Sequence, residues 1–380
     1  MTCNYFFYGT LRHVPLLEAV LGHPVEARSA RAAGFSAFHA TRANRSYVFP
    51  VLAEARGASA EGIVVTLSAE DRRRLDYYEA GYQAAPIAVE IGAEPQEALT
   101  YRAPLDQFAP GAAWVFDDWQ SRWGAIVTEA AAEFMSGLDH IPATQGLGRF
   151  PMILVRAASR LRARASQSPA TLRRAAQPRD VEIDHVAPGY AHFFAVEDYQ
   201  LRHRRFDGGQ SETLDRAAFV SGDAACVLPY DPVRDRVLLI EQFRIGPMAR
   251  GDRNPWLLEP VAGRVDPLET PEEAARREAV EEAGITLGDL IPTPHFYPTP
   301  AAKSEYLYCY IGLAELPDLP EGGGGLADEH EDIRRHLVSF DRLMELVETG
   351  EAENGPLLVI ALWLARQRDR LRAQAGVERA

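Results

Sequence analysis

Apolar and polar positions along the chain fall into short extended runs and longer stretches of helical period. Tyr5-Phe6-Phe7-Tyr8 is a continuous apolar run that predicts a short buried strand, broken at Gly9-Thr10. Residues 15–21 read as a turn or two of helix ended by Gly22. Strand-like pieces follow near 47–53, 61–67 and 86–91. Between the last two, Ser68 stands as an N-cap with Glu70 and Asp71 behind it, and 72–79 continue with helical period. An Ala-rich helix over 118–137 and a helix with an arginine face over 149–168 complete a small α/β unit with a helical tail.

Polar, proline-broken segments at 166–169 and 177–180 mark a domain boundary at about 165–182. Beyond it, 190–205 read as one or two extended strands. Residues 224–230 and 236–242 flank the turn Asp231-Pro232-Val233-Arg234-Asp235, a hairpin signal. A further strand is predicted over 305–314, and helices over 271–283, 339–348 and 356–372. The organisation is therefore 1–125, a helical extension and linker over 126–180, and a second domain over 181–372.

Composition narrows the class. Of 380 residues 47% are hydrophobic and 25% charged, as in an ordinary globular chain and unlike a disordered one. Three scattered cysteines exclude a disulfide framework and a cysteine zinc site. No apolar run reaches the length of a membrane span, and the start lacks the basic region of a signal peptide, so a cytoplasmic location without membrane contact is expected. Residues 1–180 hold 19 basic and 18 acidic residues, a net +1; residues 181–380 hold 21 and 36, a net −15; together they give −14. So acidic a second half argues against duplex nucleic acid as a partner. It can still meet phosphates through divalent cations.

The chemistry concentrates in 263–285. Thr270 can cap a helix, Pro271 suits its first position, Glu272 and Glu273 favour its positive end, and Gly284 stops it. Glu278 and Glu282, four apart, share one face, with Glu281 beside them. Carboxylates so spaced repel unless neutralised, and their oxygens are the ligands Mg²⁺ prefers beside substrate phosphates. From spacing alone an acidic solvated helix face explains the pattern equally well.

The nine positions Gly263, Glu269, Arg277, Glu278, Ala279, Glu281, Glu282, Gly284 and Ile285 resemble the Nudix hydrolase box. The flanks 238–244, 256–263 and 325–333 resemble the ADP-ribose pyrophosphatases of that family, as does 199–209. The resemblance implies an α/β/α sandwich with a mixed sheet, and Mg²⁺-dependent hydrolysis of ADP-ribose to AMP and ribose 5-phosphate, with Mn²⁺ as a substitute. It assigns metal binding to Glu278, Glu282, the carbonyl of Ala262 and Glu331, with Glu282 also counted as catalytic. It assigns orientation or deprotonation of the attacking water to Glu329, or the exchange of Glu329 and Glu331. Arg244 and Arg202 are candidate substrate contacts, Arg244 toward the diphosphate or terminal ribose, and Glu305 a candidate near metal or ribose. Arg277 is expected to hold the box by pairing with Glu269 or Glu281. The 199–209 segment implies a homodimer through this domain. The loop 297–305 departs from the group's Gly-rich version by carrying Ala301-Ala302.

Near the N-terminus, Gly9 permits a tight turn whose amides can form an anion nest, and Glu79 ends a helix beside aromatics, where desolvation would raise its pKa. Tyr8-Gly9-Thr10-Leu11 together with Leu75, Asp76, Tyr78 and Glu79 resemble the γ-glutamylcyclotransferase-like fold, a mixed β-barrel with helices. The resemblance makes Glu79 the proton-transfer residue and Tyr8, Gly9, Thr10 and Leu11 the substrate cradle. The family's Glu-Gly pair is Glu79-Ala80-Gly81 here, one residue displaced, so a binding or scaffolding role is the alternative. The other alternative for the whole chain is a cyclotransferase whose second half acts on another nucleoside diphosphate derivative or as a nucleotide sensor. The order of the two domains resembles a bacterial tellurite-resistance protein group.

Overall fold

In the computed structural model the chain divides into two units, Met1–Leu214 and Asp215–Ala380. The structure describes residues 2–43, 45–318, 323–324 and 332–377, with Ser46, Pro188, Gly323 and Gly324 through their backbone alone.

The first unit runs β1 (Cys3–Phe7), α1 (Val14–Leu21), β2 (Arg28–Arg42), β3 (Arg45–Leu67), α2 (Ala69–Tyr78), β4 (Gln83–Ile91), β5 (Glu94–Arg102), β6 (Ala109–Ala113), α3 (Phe116–Met135), α4 (Ala143–Ala165) and a hairpin of β7 (Val181–Ala191) and β8 (Ala195–His203). The strand order is β3-β1-β5-β4-β2, and β2 also pairs with β3, so the sheet closes into a barrel. β1 and β5 are parallel and the other pairs antiparallel. Alternation along β1 sorts its side chains: Phe6 and Tyr8 pack with strand residues such as Val64 and Val89, whereas Tyr5 and Phe7 pack against the helices.

The second unit runs β9 (Leu214–Val220), β10 (Ala224–Asp231), β11 (Arg236–Phe243), α5 (Ile245–Arg250), β12 (Trp256–Glu259), β13 (Val261–Arg264), α6 (Pro271–Ala283), β14 (Leu290–Pro292), β15 (Leu307–Leu313), β16 (Gly323–Gly324), β17 (Ile333–Ser339), α7 (Phe340–Thr349) and α8 (Gly355–Gln374). Its sheet is mixed: β10 and β15 are parallel, while β10 is antiparallel to β11 and β13. Ala225 and Val227 of β10 pack with Ala274, Ala275, Ala279 and Ala283 of α6. Cys226, Leu228 and Tyr230 pack on the other face with Leu343, Leu357, Ile360 and Leu364 of α7 and α8. The period of two thus builds an α/β/α sandwich. Both units have the fold class that the resemblance implied. No described helix is long and apolar enough to cross a membrane.

Four elements differ from the sequence pattern. The buried apolar positions of β2 are the alanines Ala30, Ala32 and Ala40, and it was not predicted as a strand. The pieces at 47–53 and 61–67 join through 54–60 into β3, which pairs with β2 on both sides of a register irregularity between Glu54 and Ser59. α4 begins at Ala143 and not 149, running through Gly146, Gly148 and Pro151, whose local preferences argue against helix. β7 begins at Val181, earlier than 190. The division between units falls after Leu214, so this hairpin lies in the first unit.

Candidate active site

In the second unit the site grows from the ends of α6. Thr270 Oγ1 accepts from the Glu273 amide at 3.2 Å, and the Glu273 carboxylate accepts from the Thr270 amide at 2.8 Å, a reciprocal cap that holds Glu273 below the usual carboxylate range. Gly284 closes the helix with φ +67°. The alanine stripe faces the sheet, and this fixes the direction of the remaining side chains. Glu282 is only 2% exposed, and its Oε2 accepts from the Ala262 amide of β13 at 3.0 Å. One residue on, a Cβ at Gly263 would fall 1.7 Å from Glu278 Oε1. Both carboxylates therefore meet the backbone at 262–263, and only glycine leaves room for Glu278.

Arg277 is the cation at the centre of the cluster. Its Nε and Nη2 donate to the two oxygens of Glu269 at 2.9 and 3.0 Å, and its Nη1 donates to Glu278 at 2.7 Å and Glu281 at 2.9 Å. Nη2 also donates to the Arg264 carbonyl at 3.0 Å, tying the helix to β13. The sequence offered Glu269 or Glu281 as its partner, and the structure uses both. These bonds hold the guanidinium pKa above its ordinary value.

The remaining candidates separate. Arg244 donates to Glu259 from Nε at 3.0 Å and Nη2 at 2.6 Å. Glu259, 3% exposed, also accepts from Asn354 Nδ2 at 3.1 Å and Gln242 Nε2 at 3.4 Å. Glu259 had no role in the sequence reading. The signal for it was a carboxylate among the apolar residues of β12. Glu305 accepts from Lys303 Nζ at 2.9 Å. Glu305 and Glu259 both push up the thiol of Cys226, the residue opposite Ala262, behind the larger effects of the Cys309 hydrogen bond and burial. Arg202 lies on β8 of the first unit, bonded to Asp184 at 2.9 Å and paired with Glu182 at 3.3 Å. Glu329 and Glu331 lie outside the described residues.

Among the described residues no three His, Cys, Asp or Glu side chains are grouped to hold a metal ion. The donors that are described, Glu278, Glu282 and the Ala262 carbonyl, are all oxygen, the chemistry Mg²⁺ takes. Their cradle exists because residue 263 has no Cβ. The set fits the ion in kind.

The first unit holds a second site. Tyr8, Gly9, Thr10, Leu11, Glu79 and Tyr82 line one cleft, so the structure brings together every N-terminal candidate. The chain turns out of β1 through a 3₁₀ turn, closed by the Arg12 amide on the Gly9 carbonyl at 3.0 Å. Glu79 ends α2, its amide on the Leu75 carbonyl at 2.7 Å, and Gly81 turns the chain away with φ +96°. Burial pushes the Glu79 carboxyl from 4.5 up to about 7. The Tyr8, Tyr78 and Tyr82 phenols are each raised, by burial first and the nearby Glu79 charge second.

Comparison with known proteins finds two families, one within each unit. The NUDIX domain family matches residues 220–358, and the family "Gamma-glutamyl cyclotransferase, AIG2-like" matches residues 5–120. The chain is 42% identical over 185 residues to the ADP-ribose pyrophosphatase of Escherichia coli K12, covering 49% of this chain and 88% of that enzyme. It is 36% identical over 188 residues to the ADP-ribose pyrophosphatase of Haemophilus influenzae, covering 49% and 86%. It is 30% identical over 164 residues to the GDP-mannose pyrophosphatase of Enterobacter sp. strain 638, covering 43% and 78%. The second unit holds 380 minus 214, or 166 residues, so the 185-residue match extends beyond it into the first. These names say nothing of tellurite.

Proposed function

Since the chain belongs to the Nudix family, we propose that its second unit hydrolyses the diphosphate of ADP-ribose to AMP and ribose 5-phosphate. The reading is carried by one observation: Glu282 accepts from the Ala262 amide and Glu278 lies against Gly263, so both carboxylates of α6 meet the 262–263 backbone of β13. The 42% identity to an ADP-ribose pyrophosphatase favours that substrate, and the 30% relative makes GDP-mannose the competitor to exclude. Glu278, Glu282 and the Ala262 carbonyl would hold Mg²⁺, with Mn²⁺ as a substitute and Glu331 completing the set. Mg²⁺ bound there would offset the diphosphate charge and acidify a bound water.

The remaining work falls to the chain. Glu329 orients the water or takes its proton, or exchanges that role with Glu331. The water oxygen forms one new P–O bond, one P–O bond of the bridge breaks, and the released proton passes to the base and then to solvent. Arg277 keeps Glu278 and Glu281 in place between turnovers. Arg244, held by Glu259, is the candidate for the diphosphate or terminal ribose. Glu305 is a further candidate substrate contact. A cytoplasmic homodimer through this domain is part of the proposal, and light scattering on the full chain tests the dimer.

The test is to incubate the full chain with Mg²⁺ and either ADP-ribose or GDP-mannose and follow nucleoside monophosphate. Faster release of AMP than GMP supports the reading. The reverse order moves the substrate within the family, and no release of either removes the activity.

A second reading attaches to the first unit. A glutamate titrating near 7 in a cleft with Tyr8 and Thr10 suits proton transfer during γ-glutamyl cyclisation. Release of 5-oxoproline from a γ-glutamyl compound is its test. Absence of release leaves the cleft as a binding or scaffolding site.

A further inference from the structure

Within the first unit, a cavity of about 500 Å³ lies between α3, α4 and the β7–β8 hairpin. None of its lining residues belongs to the cleft of Glu79. Its volume is that of a small-molecule site.

Its charges are unevenly matched. Four arginines line it, Arg149, Arg156, Arg160 and Arg164, with three glutamates, Glu129, Glu133 and Glu197. Glu129 accepts from Arg164 at 2.6 and 2.9 Å. Glu133 accepts from Arg156 Nε and Arg160 Nη1, each at 2.9 Å, and Glu197 from Arg160 Nη2 at 2.9 Å. Three carboxylates so placed offset three guanidiniums, and one positive charge is left. Arg149 has no ion-pair partner among the described residues, and its buried Nε makes no hydrogen bond. Arg156 is 1% exposed, and its Nη1 is likewise without a partner. A buried N–H left unmade is costly, so such donors are normally met by an anion or ordered water. The rest of the wall includes the apolar Ile153, Ile183, Val186 and Ala195.

We infer that this cavity binds a small organic monocarboxylate, its carboxylate on Arg149 and Arg156 and its apolar body on the isoleucine and valine wall. Two features select that class. A monoanion leaves the site neutral, whereas a phosphate dianion would leave a negative charge beside three carboxylates. The planar guanidinium fork matches a carboxylate's two oxygens. The assignment does not depend on the chemistry proposed for either active site.

The experiment is calorimetric titration of the full chain with benzoate and hexanoate, and with hexanol, inorganic phosphate and phenyl phosphate as controls. Saturable binding of one carboxylate per chain is expected, with hexanol and both phosphates weaker. Arg149→Gln should weaken binding by about 10-fold or more, the worth of a charge-assisted hydrogen bond. Ala195→Phe should block the cavity and abolish binding with every charged group intact, and melting curves report whether each variant folds. ADP-ribose turnover should be unchanged in both. No binding of either carboxylate, equal binding of hexanol or phosphate, or affinity unchanged in the folded variants would overturn the assignment, leaving a hydrated cavity.

Discussion

Glu79 and Glu278 are both glutamates at short helices, and the chain treats their charge in opposite ways. Glu79 is desolvated among Tyr8, Tyr78 and Tyr82, whose own titration its charge pushes up, and its carboxyl rises to about 7. Glu278 stands with Glu269, Glu281 and Glu282 in a denser cluster, yet Arg277 reaches three of the four carboxylates. Isolation raises the Glu79 carboxyl toward neutral pH. Crowding around one fixed cation produces a set of anions that a divalent cation can join. The difference lies in the counter-charge and not in the residue type.

The comparison is broken most directly by removing one carboxylate from each site. Glu282→Gln should lower ADP-ribose turnover by at least about 100-fold, more than the loss of a supporting partner costs. It should leave melting nearly unchanged, because the amide oxygen can still accept from Ala262. A parallel loss of turnover and stability would show Glu282 to be structural. Glu79→Gln should abolish any 5-oxoproline release while ADP-ribose hydrolysis continues. Loss of both activities would mean the two sites are not separate.

Glu79 also sharpens the contrast through pH. Its folded pKa lies above the unfolded value, so the folded state binds more protons between about 4.5 and 7. Stability is therefore greatest below that window and falls as pH rises through it, by up to about 3 kcal/mol from this group. Melting at pH 5 and pH 8 should differ more in the wild type than in Glu79→Gln, and equal differences would refute the buried, raised carboxyl.

Smaller effects probe the crowded site. Arg277→Met strands Glu269, Glu278 and Glu281 without their cation and should cost about 3 kcal/mol in urea unfolding. Added Mg²⁺ should restore more stability to this variant than to the wild type. Gly263→Ala places a methyl against Glu278 and should cost about 1–3 kcal/mol. If it melts like the wild type, the carboxylate is not held where the geometry has it. Thr270→Ala removes one half of the cap of α6 and should cost about 1 kcal/mol, read as a small shift of the unfolding midpoint.

Local chain chemistry was enough to locate α6. Thr270, Pro271 and Gly284 act on their own neighbours, and the i,i+4 relation of Glu278 and Glu282 follows from helix geometry. The alternation that makes β10 two-faced is equally local. β2 was not legible, because alanines carry little strand preference and its place is decided by pairing with β3. The meeting of Glu282 with the Ala262 amide, the fit of Glu278 over Gly263 and the clasp of Arg244 by Glu259 join residues 15–20 positions apart on different elements. The cleft of Glu79 joins residues some 70 positions apart. Such contacts depend on how strands and helices cross, and the raised carboxyl of Glu79 depends on how many rings then exclude water from it. Those are properties of packing, which no short stretch of chain contains.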